Sequence, residues 1–267
     1  MKRAMLLISF LVLLTTFAFA NGAAEPVSDD WTYIQDKGEL IVGMTIFPPM
    51  NYYDDKGNFV GFETEFTEAV CKIIGITPRF MEINWDTKEI ELASRNIDAI
   101  WNGMTVTPER AEKVLFSTPY IRNMQVTVVK KSNLGDYVSK EDLTGKNIAA
   151  EVGSAGEDAA RQVEDASVIS VAKQTDALLE VKAGTVDAAI LDYTLAAAMT
   201  GEKGDYSDLA IADEQLYFAI EEYAVAFRLG SSIVPLVNAA IEELAQDGTL
   251  LKIAEKYDLA SQLLFNQ

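Results

Sequence analysis

The feature that most constrains this chain is an alternation of short apolar strands with amphipathic helices, arranged as two successive series. In the first, residues 39–43, 79–83 and 97–101 read as strands, with helices expected from residue 62 and over residues 87–95. Strand, helix and strand in that order require a parallel sheet with crossover helices, and ligands of such sheets gather beyond the carboxyl ends of the strands. Phe47, Trp85 and the segment 103–110 each follow directly after an expected strand. The two prolines of Phe47-Pro48-Pro49-Met50 fix φ and remove backbone donors, so the first strand must stop there. Residues 54–57 (DDKG) read as a turn and residues 58–61 as a short return. On the first long helix Phe62, Phe66, Ala69, Val70 and Ile73 share one face, and Glu63, Glu65 and Glu68 place negative charge in its first turns. Cys71 falls about half a turn from that face and reads as incidental packing.

Residues 97–110, IDAIWNGMTVTPER, pass from a buried strand through Asn102-Gly103 to Thr105, Thr107 and Arg110. This order suits a small anion. Glycine allows close backbone approach, hydroxyls and amides donate hydrogen bonds, and a guanidinium grips a carboxylate through two parallel bonds. A strand, a turn and an ordinary surface arginine would give the same residues.

A β-rich stretch at residues 125–130 marks the passage into a second series. Strands are expected at 147–152, 167–171 and 188–191, with helices at 157–164 and 175–183, a turn at Gly153-Ser154-Ala155-Gly156, and Asp192 closing the last strand. Residues 224–227 are strand-like again, and amphipathic helices at 233–246 and 249–257 close the chain. A middle segment inserted into a first domain implies two chain crossings. The expectation is an α/β fold of two lobes, residues 31–121 with 223–267 and residues 124–219, hinged near residues 120–124 and 219–223.

Composition narrows the function. The chain of 267 residues has no histidine and a single cysteine, which removes the commonest general base, thiolate metal clusters and any internal disulfide. No cofactor and no metal are expected. Lys2 and Arg3, an apolar run from residue 5 to residue 14 and Ala18-Phe19-Ala20 read as an export signal cut after Ala20, with residues 21–30 as a flexible tether. A membrane anchor is the alternative; the run is short for one. Loss of Lys2 and Arg3 takes the formal net charge from −19 to −21. Such a chain should avoid nucleic acid and anionic membranes and favour the approach of cations, although solubility alone also explains the charge.

Residues 61–74, GFETEFTEAVCKII, resemble the signature of the solute-binding proteins for polar amino acids that feed bacterial ABC importers, extracellular solute-binding protein family 3. PPM before it, GMTVTPER, FSTPY, VGS and ILDY after it, and DGTLLKIAEKY at the end agree in order, so the resemblance spans residues 31–260. It implies a periplasmic-binding-protein (Venus flytrap) fold closing on a free L-amino acid, a membrane permease as partner, a monomer and a periplasmic location. It implies further that Arg110 and Thr105 hold the ligand carboxylate and that the Gly103 carbonyl and Asp192 take the ammonium. Ser154 and Ala155 would complete the carboxylate site on closure, and Phe47 and Trp85 would pack around the ligand side chain. Asn102 and Met104 are counted with the site. Taken singly, Phe47 and Trp85 could be core aromatics and Asp192 a helix cap.

Two departures matter. The segment Met44-Thr45-Ile46-Phe47 is one residue shorter than usual and lacks an acidic residue common there. Glu151 stands at a position that can face the side-chain pocket, which would suit a basic or amide side chain, unless it points to solvent. Two rivals to a non-enzymatic receptor are a dehydratase-like enzyme using Glu151 and a signalling module with a vestigial cleft.

Overall fold

The computed structural model describes residues 29–202, 204–218 and 220–266. The expected signal, its cleavage point, residues 21–28 of the tether and Ala219 lie outside the described residues.

The first element is one the sequence reading missed: helix α1, Asp30–Lys37, capped by the Asp29 carboxylate and ended by Gly38 in the left-handed region. Asp30, read as the end of the tether, is instead buried, accepting from Arg228 Nε at 2.8 Å and Ser231 Oγ at 2.5 Å. Strand β1 (Glu39–Met44) leads to the hairpin β2 (Tyr52–Tyr53) and β3 (Phe59–Val60), then to helix α2 (Phe62–Ile74) and strand β4 (Thr77–Glu82). A helical turn at Trp85–Thr87 runs into α3 (Lys88–Ala93), followed by β5 (Ala99–Ile100), α4 (Pro108–Ala111) and β6 (Val114–Phe116).

The buried face of α2 is rotated from the expected one. Phe62, Phe66 and Val70 are buried, but so are Glu63, Thr67 and Cys71, while Ile73 is 38 % exposed. The rotation arises because the helix packs on a polar site as well as on the core. Phe66 meets Trp101 and Tyr120 edge-on at 5.2 Å each, joining α2 to the strand that enters the site. Gly61 precedes α2 with φ of +137°, and a Cβ there would lie 2.0 Å from the Met50 carbonyl oxygen. Gly61→Ala is therefore expected to destabilise the protein by about 3 kcal/mol or more, read as a lower midpoint in urea unfolding.

Strand β7 (Ile121–Lys130) leaves the first series and begins the second: β8 (Asn147–Glu151), α5 (Ala155–Ala160), β9 (Ser167–Val171), α6 (Gln174–Ala183) and β10 (Ala188–Asp192). Helix α5 starts two residues before the expected helix and ends four residues early, because the Ser154 hydroxyl caps it at the Glu157 amide. Helix α7 (Tyr193–Thr200) and strand β11 (Leu209–Ile211) follow, neither of them expected from the sequence. The chain returns through β12 (Ile220–Tyr223) and β13 (Ala226–Arg228) and ends in α8 (Val234–Gln246), α9 (Thr249–Lys256) and short helical turns.

Two sheets define the two lobes. One has the order β4-β1-β5-β13-β6, and the other β11-β7-β10-β8-β9 with β12 also paired to β7. In the first, β1 runs parallel to both β4 and β5; in the second, β8 runs parallel to both β10 and β9. Site segments can thus collect at strand ends on either lobe. Strand β7 is the connector: its first residues pair with β12, from Ile121↔Tyr223 to Met124↔Ile220, and its later ones with β10 and β11. This antiparallel two-stranded ribbon is the hinge of a two-lobed α/β fold.

Candidate functional site

A narrow, nearly closed cavity lies between the lobes. Phe47, Trp85, Asn102, Gly103, Thr105, Arg110, Glu151, Ser154, Ala155 and Asp192, all expected at a site, line it, together with Thr45 and Gln174, which were not. Met104 does not. Its side chain is fully buried in a cluster with Ile97, Ile100 and Val114, because the turn after Asn102 carries it to the opposite side of the strand end.

The first lobe builds its wall around Asn102. The Asn102 amide donates to the Thr45 carbonyl and to Asn51 Oδ1 at 2.9 and 2.8 Å, and its oxygen accepts from the Thr45 amide and hydroxyl. All of its bonding is structural. Gly103 follows with φ of +59°, where a Cβ would meet the Phe47 ring at 2.5 Å, so this position requires glycine. Both carboxylate oxygens of Glu63 accept from its amide, at 2.9 and 3.1 Å, while its carbonyl takes no hydrogen bond among the described residues. Glu63 is fully buried and also accepts from Tyr120 Oη; burial pushes its carboxyl up to about 7 against the pull of those donors. Nothing in the sequence signalled this. Glu63 read as a charge on a helix end.

Arg110 sits on α4, a single turn started by Thr107 as N-cap and Pro108. It is 7 % exposed, and among the described residues no carboxylate lies within 4.0 Å of it. Its guanidinium donates to two carbonyls, Thr105 at 2.9 Å and Gly153 on the other lobe at 3.3 Å.

Across the cavity, Asp192 ends β10. It occupies the N-cap position of α7 without making a capping bond, which removes the helix-cap reading. Its carboxylate accepts from Tyr223 Oη at 2.7 Å, Gln125 Nε2 at 2.8 Å, Asn123 Nδ2 and Gln174 Nε2. All four are neutral. Burial raises its pKa while these donors oppose the rise, and no cation among the described residues pairs with it.

Glu151 ends β8, is 3 % exposed and therefore does not point to solvent; its Oε1 has no hydrogen-bond partner. Burial, with Asp192 nearby, pushes its carboxyl up to about 8. Two further charged groups stand beside the cavity. Glu221 on β12 accepts from Gln125 Nε2 at 2.9 Å, and burial pushes its carboxyl up to about 7. Lys88 is 2 % exposed on α3. Gln174 and Lys88 both lie just beyond strand ends, the placement that pointed to Trp85 and Arg110, so the same logic extended by a few residues would have found them. The aromatics Phe47 and Trp85 serve core and cavity at once: each is below 5 % exposed and packs in a hydrophobic cluster while lining the space.

Two α/β lobes on a paired-strand hinge, with polar groups from both turned into the space between them, define a clamshell binding protein. The comparisons with known proteins make this specific. The profile of the bacterial extracellular solute-binding proteins, family 3, matches residues 40–260, and the chain belongs to that family. The L-cystine-binding protein TcyJ of Escherichia coli K12 is 32 % identical over 227 residues, 84 % of either chain. Among solved structures, an ancestral arginine-binding protein bound to arginine matches with a TM-score of 0.76 at 35 % identity, over 82 % of this chain and 98 % of that one. An ABC uptake transporter substrate-binding protein from Streptococcus pneumoniae with bound histidine matches with a TM-score of 0.79 at 31 % identity, over 86 % of this chain and 96 % of that one. No helix of the described residues is long and apolar enough to cross a membrane.

Proposed function

We propose that this protein is an exported receptor for a free L-amino acid, passing it to the permease of an ABC importer. One observation carries the reading: Arg110 and Asp192 are buried charges of opposite sign, one from each lobe, that line one cavity with no ion-pair partner within 4.0 Å among the described residues. Burying an unpaired charge is costly, and a zwitterion supplies both missing partners at once. Arg110 with the Thr105 hydroxyl and amide holds the carboxylate. Asp192 and the unused Gly103 carbonyl take the ammonium. The Ser154 hydroxyl, which accepts from the Glu157 amide at 3.1 Å, still has its own proton to donate as the second lobe closes. Cystine, arginine and histidine on the relatives support an amino acid as the cargo.

The lobes comprise residues 31–121 with 223–267 and residues 124–219, and the protein acts as a monomer in the periplasm after cleavage near Ala20. Binding needs no cofactor. It is a receptor rather than an enzyme, so saturation without product is the expected behaviour with any ligand; turnover would instead favour a dehydratase-like role for Glu151.

Glu151 reads the ligand side chain, favouring a basic or amide group that supplies a donor to its unpartnered Oε1. The charged groups that face it are Asp192, Lys88 and Asp176, with the Gln174 amide beside them. Below about 8 its carboxyl holds a proton that a cationic side chain must displace. Affinity for a ligand such as arginine is therefore expected to rise with pH up to about 8, by at most about tenfold per unit. In Glu151→Gln the part of that slope due to Glu151 should be lost, leaving the shallower part set by Glu221 and Asp192, and the ranking of ligands should change. Calorimetric titration at several pH values tests both; an unaltered ranking and slope in the variant would remove Glu151 from side-chain recognition.

A further inference from the structure

We infer that Glu63 is the first lobe's counter-charge for the ligand's α-ammonium, a positioning residue that fixes the Gly103 turn from behind the cavity wall and makes its free carbonyl a stronger acceptor. The inference rests on the amino-acid reading for what Gly103 receives. Glu63 is fully buried and does not line the cavity, whereas Gly103 does. Its two carboxylate oxygens accept from the Gly103 amide at 2.9 and 3.1 Å, and one of them also accepts from Tyr120 Oη. No cation lies within 4.0 Å of it among the described residues. Both bonded groups donate, which favours the anion. The Glu63 amide donates to the Met50 carbonyl at 3.0 Å, so the carboxylate is presented from a fixed helix start.

A buried anion without a cation is costly. Glutamine in its place would accept from the Gly103 amide and donate to Tyr120 Oη, so the turn alone does not require a charge. What a charge adds is negative potential at the Gly103 carbonyl, where the ammonium arrives, in surroundings of low polarity. Asp192 has the same sign and, across the cavity, raises the Glu63 carboxyl further. The two differ in their lobes. Glu63, Gly103 and Tyr120 all belong to the first lobe, so their bonds stand at any separation of the lobes, while Asp192 adds its charge as the second lobe closes on the ligand. The first lobe thereby takes both ends of a zwitterion, the carboxylate at Arg110 and the ammonium at Gly103, and closure follows binding. Burial pushes the Glu63 carboxyl up to about 7, with Tyr120, the Gly103 amide and Asp192 facing it, so its titration adds to the pH dependence that remains in Glu151→Gln.

The test titrates L-arginine and desamino-arginine, the same molecule without its α-ammonium, into the native protein and Glu63→Gln, with circular dichroism to confirm folding. Glu63→Gln is expected to weaken arginine about tenfold and desamino-arginine by less than about twofold. Equal losses for both, or none for arginine, overturn the inference, because a purely structural role does not distinguish the two probes. A ligand-free measurement decides if the variant does not fold or if either probe fails to bind the native protein; failure of arginine to bind counts against the ligand reading and not against Glu63. Labelling asparagine carbonyl carbons and glycine nitrogens selects the Gly103 amide, with only Gly22 beside it. In the native protein its proton is expected well downfield of ordinary glycine amides, moving with a midpoint at about pH 7. An ordinary position, unmoved between about pH 5 and about pH 9, overturns the inference.

Discussion

Arg110→Ala is expected to weaken amino-acid binding by about 10²- to 10⁴-fold, as the loss of two charge-assisted hydrogen bonds of about 1.5–3 kcal/mol each implies. The guanidinium lies at the strand end where both lobes meet, buried and without a carboxylate partner among the described residues. The variant should fold, because Arg110 gives the native state only bonds to the Thr105 and Gly153 carbonyls. Arg110→Lys is the sharper control. It keeps the charge and loses the planar fork, so a loss nearly as large as that of Arg110→Ala would show that paired geometry rather than charge holds the ligand. Calorimetric titration of both variants, with far-ultraviolet circular dichroism to confirm folding, measures this.

Asp192→Asn should separate binding from stability. Removing the only buried anion that β10 turns into the cavity is expected to weaken binding about 10- to 100-fold, since the ligand ammonium loses a charged partner. Stability should change by no more than about 1 kcal/mol in either direction. Burial already raises the carboxyl's pKa, so neutralising it relieves a desolvation cost, and this is set against the acceptor lost to Gln174 Nε2. Urea unfolding beside titration reads both. A variant that binds normally would remove Asp192 from the ammonium site.

Much of this arrangement is written in the chain, and the parts that are not share a cause. Strand ends are legible because apolar runs stop at Asn102-Gly103, at Gly153 and at Asp192, and a parallel sheet turns those stops toward one cleft. Ten of the eleven expected site residues line the cavity for that reason. Met104 fails because a turn residue's facing depends on φ at Gly103, which sequence does not specify. Helix α1 is missed because its residues, DWTYIQDK, carry only a weak apolar pattern and Ile34 alone of its hydrophobic residues is fully buried. Helix α7, with Ala and Thr along most of its length, is hydrophobic all round and offers no 3.6-residue contrast. Glu63 reads as a charge on a helix start, and nothing in the local sequence marks Glu221, because acidic residues on a helix start or a strand usually lie at the surface. Only the fold, by bringing Gly103 onto one and Gln125 onto the other, gives them roles.

The most direct test of the account is calorimetric titration of the refolded, ligand-stripped protein with the common amino acids, run beside Arg110→Ala. Saturable binding of one or a few amino acids with cationic or amide side chains, lost in the variant, is the predicted result. Failure to bind any free amino acid, or binding that Arg110→Ala leaves intact, would contradict a zwitterion held between Arg110 and Asp192.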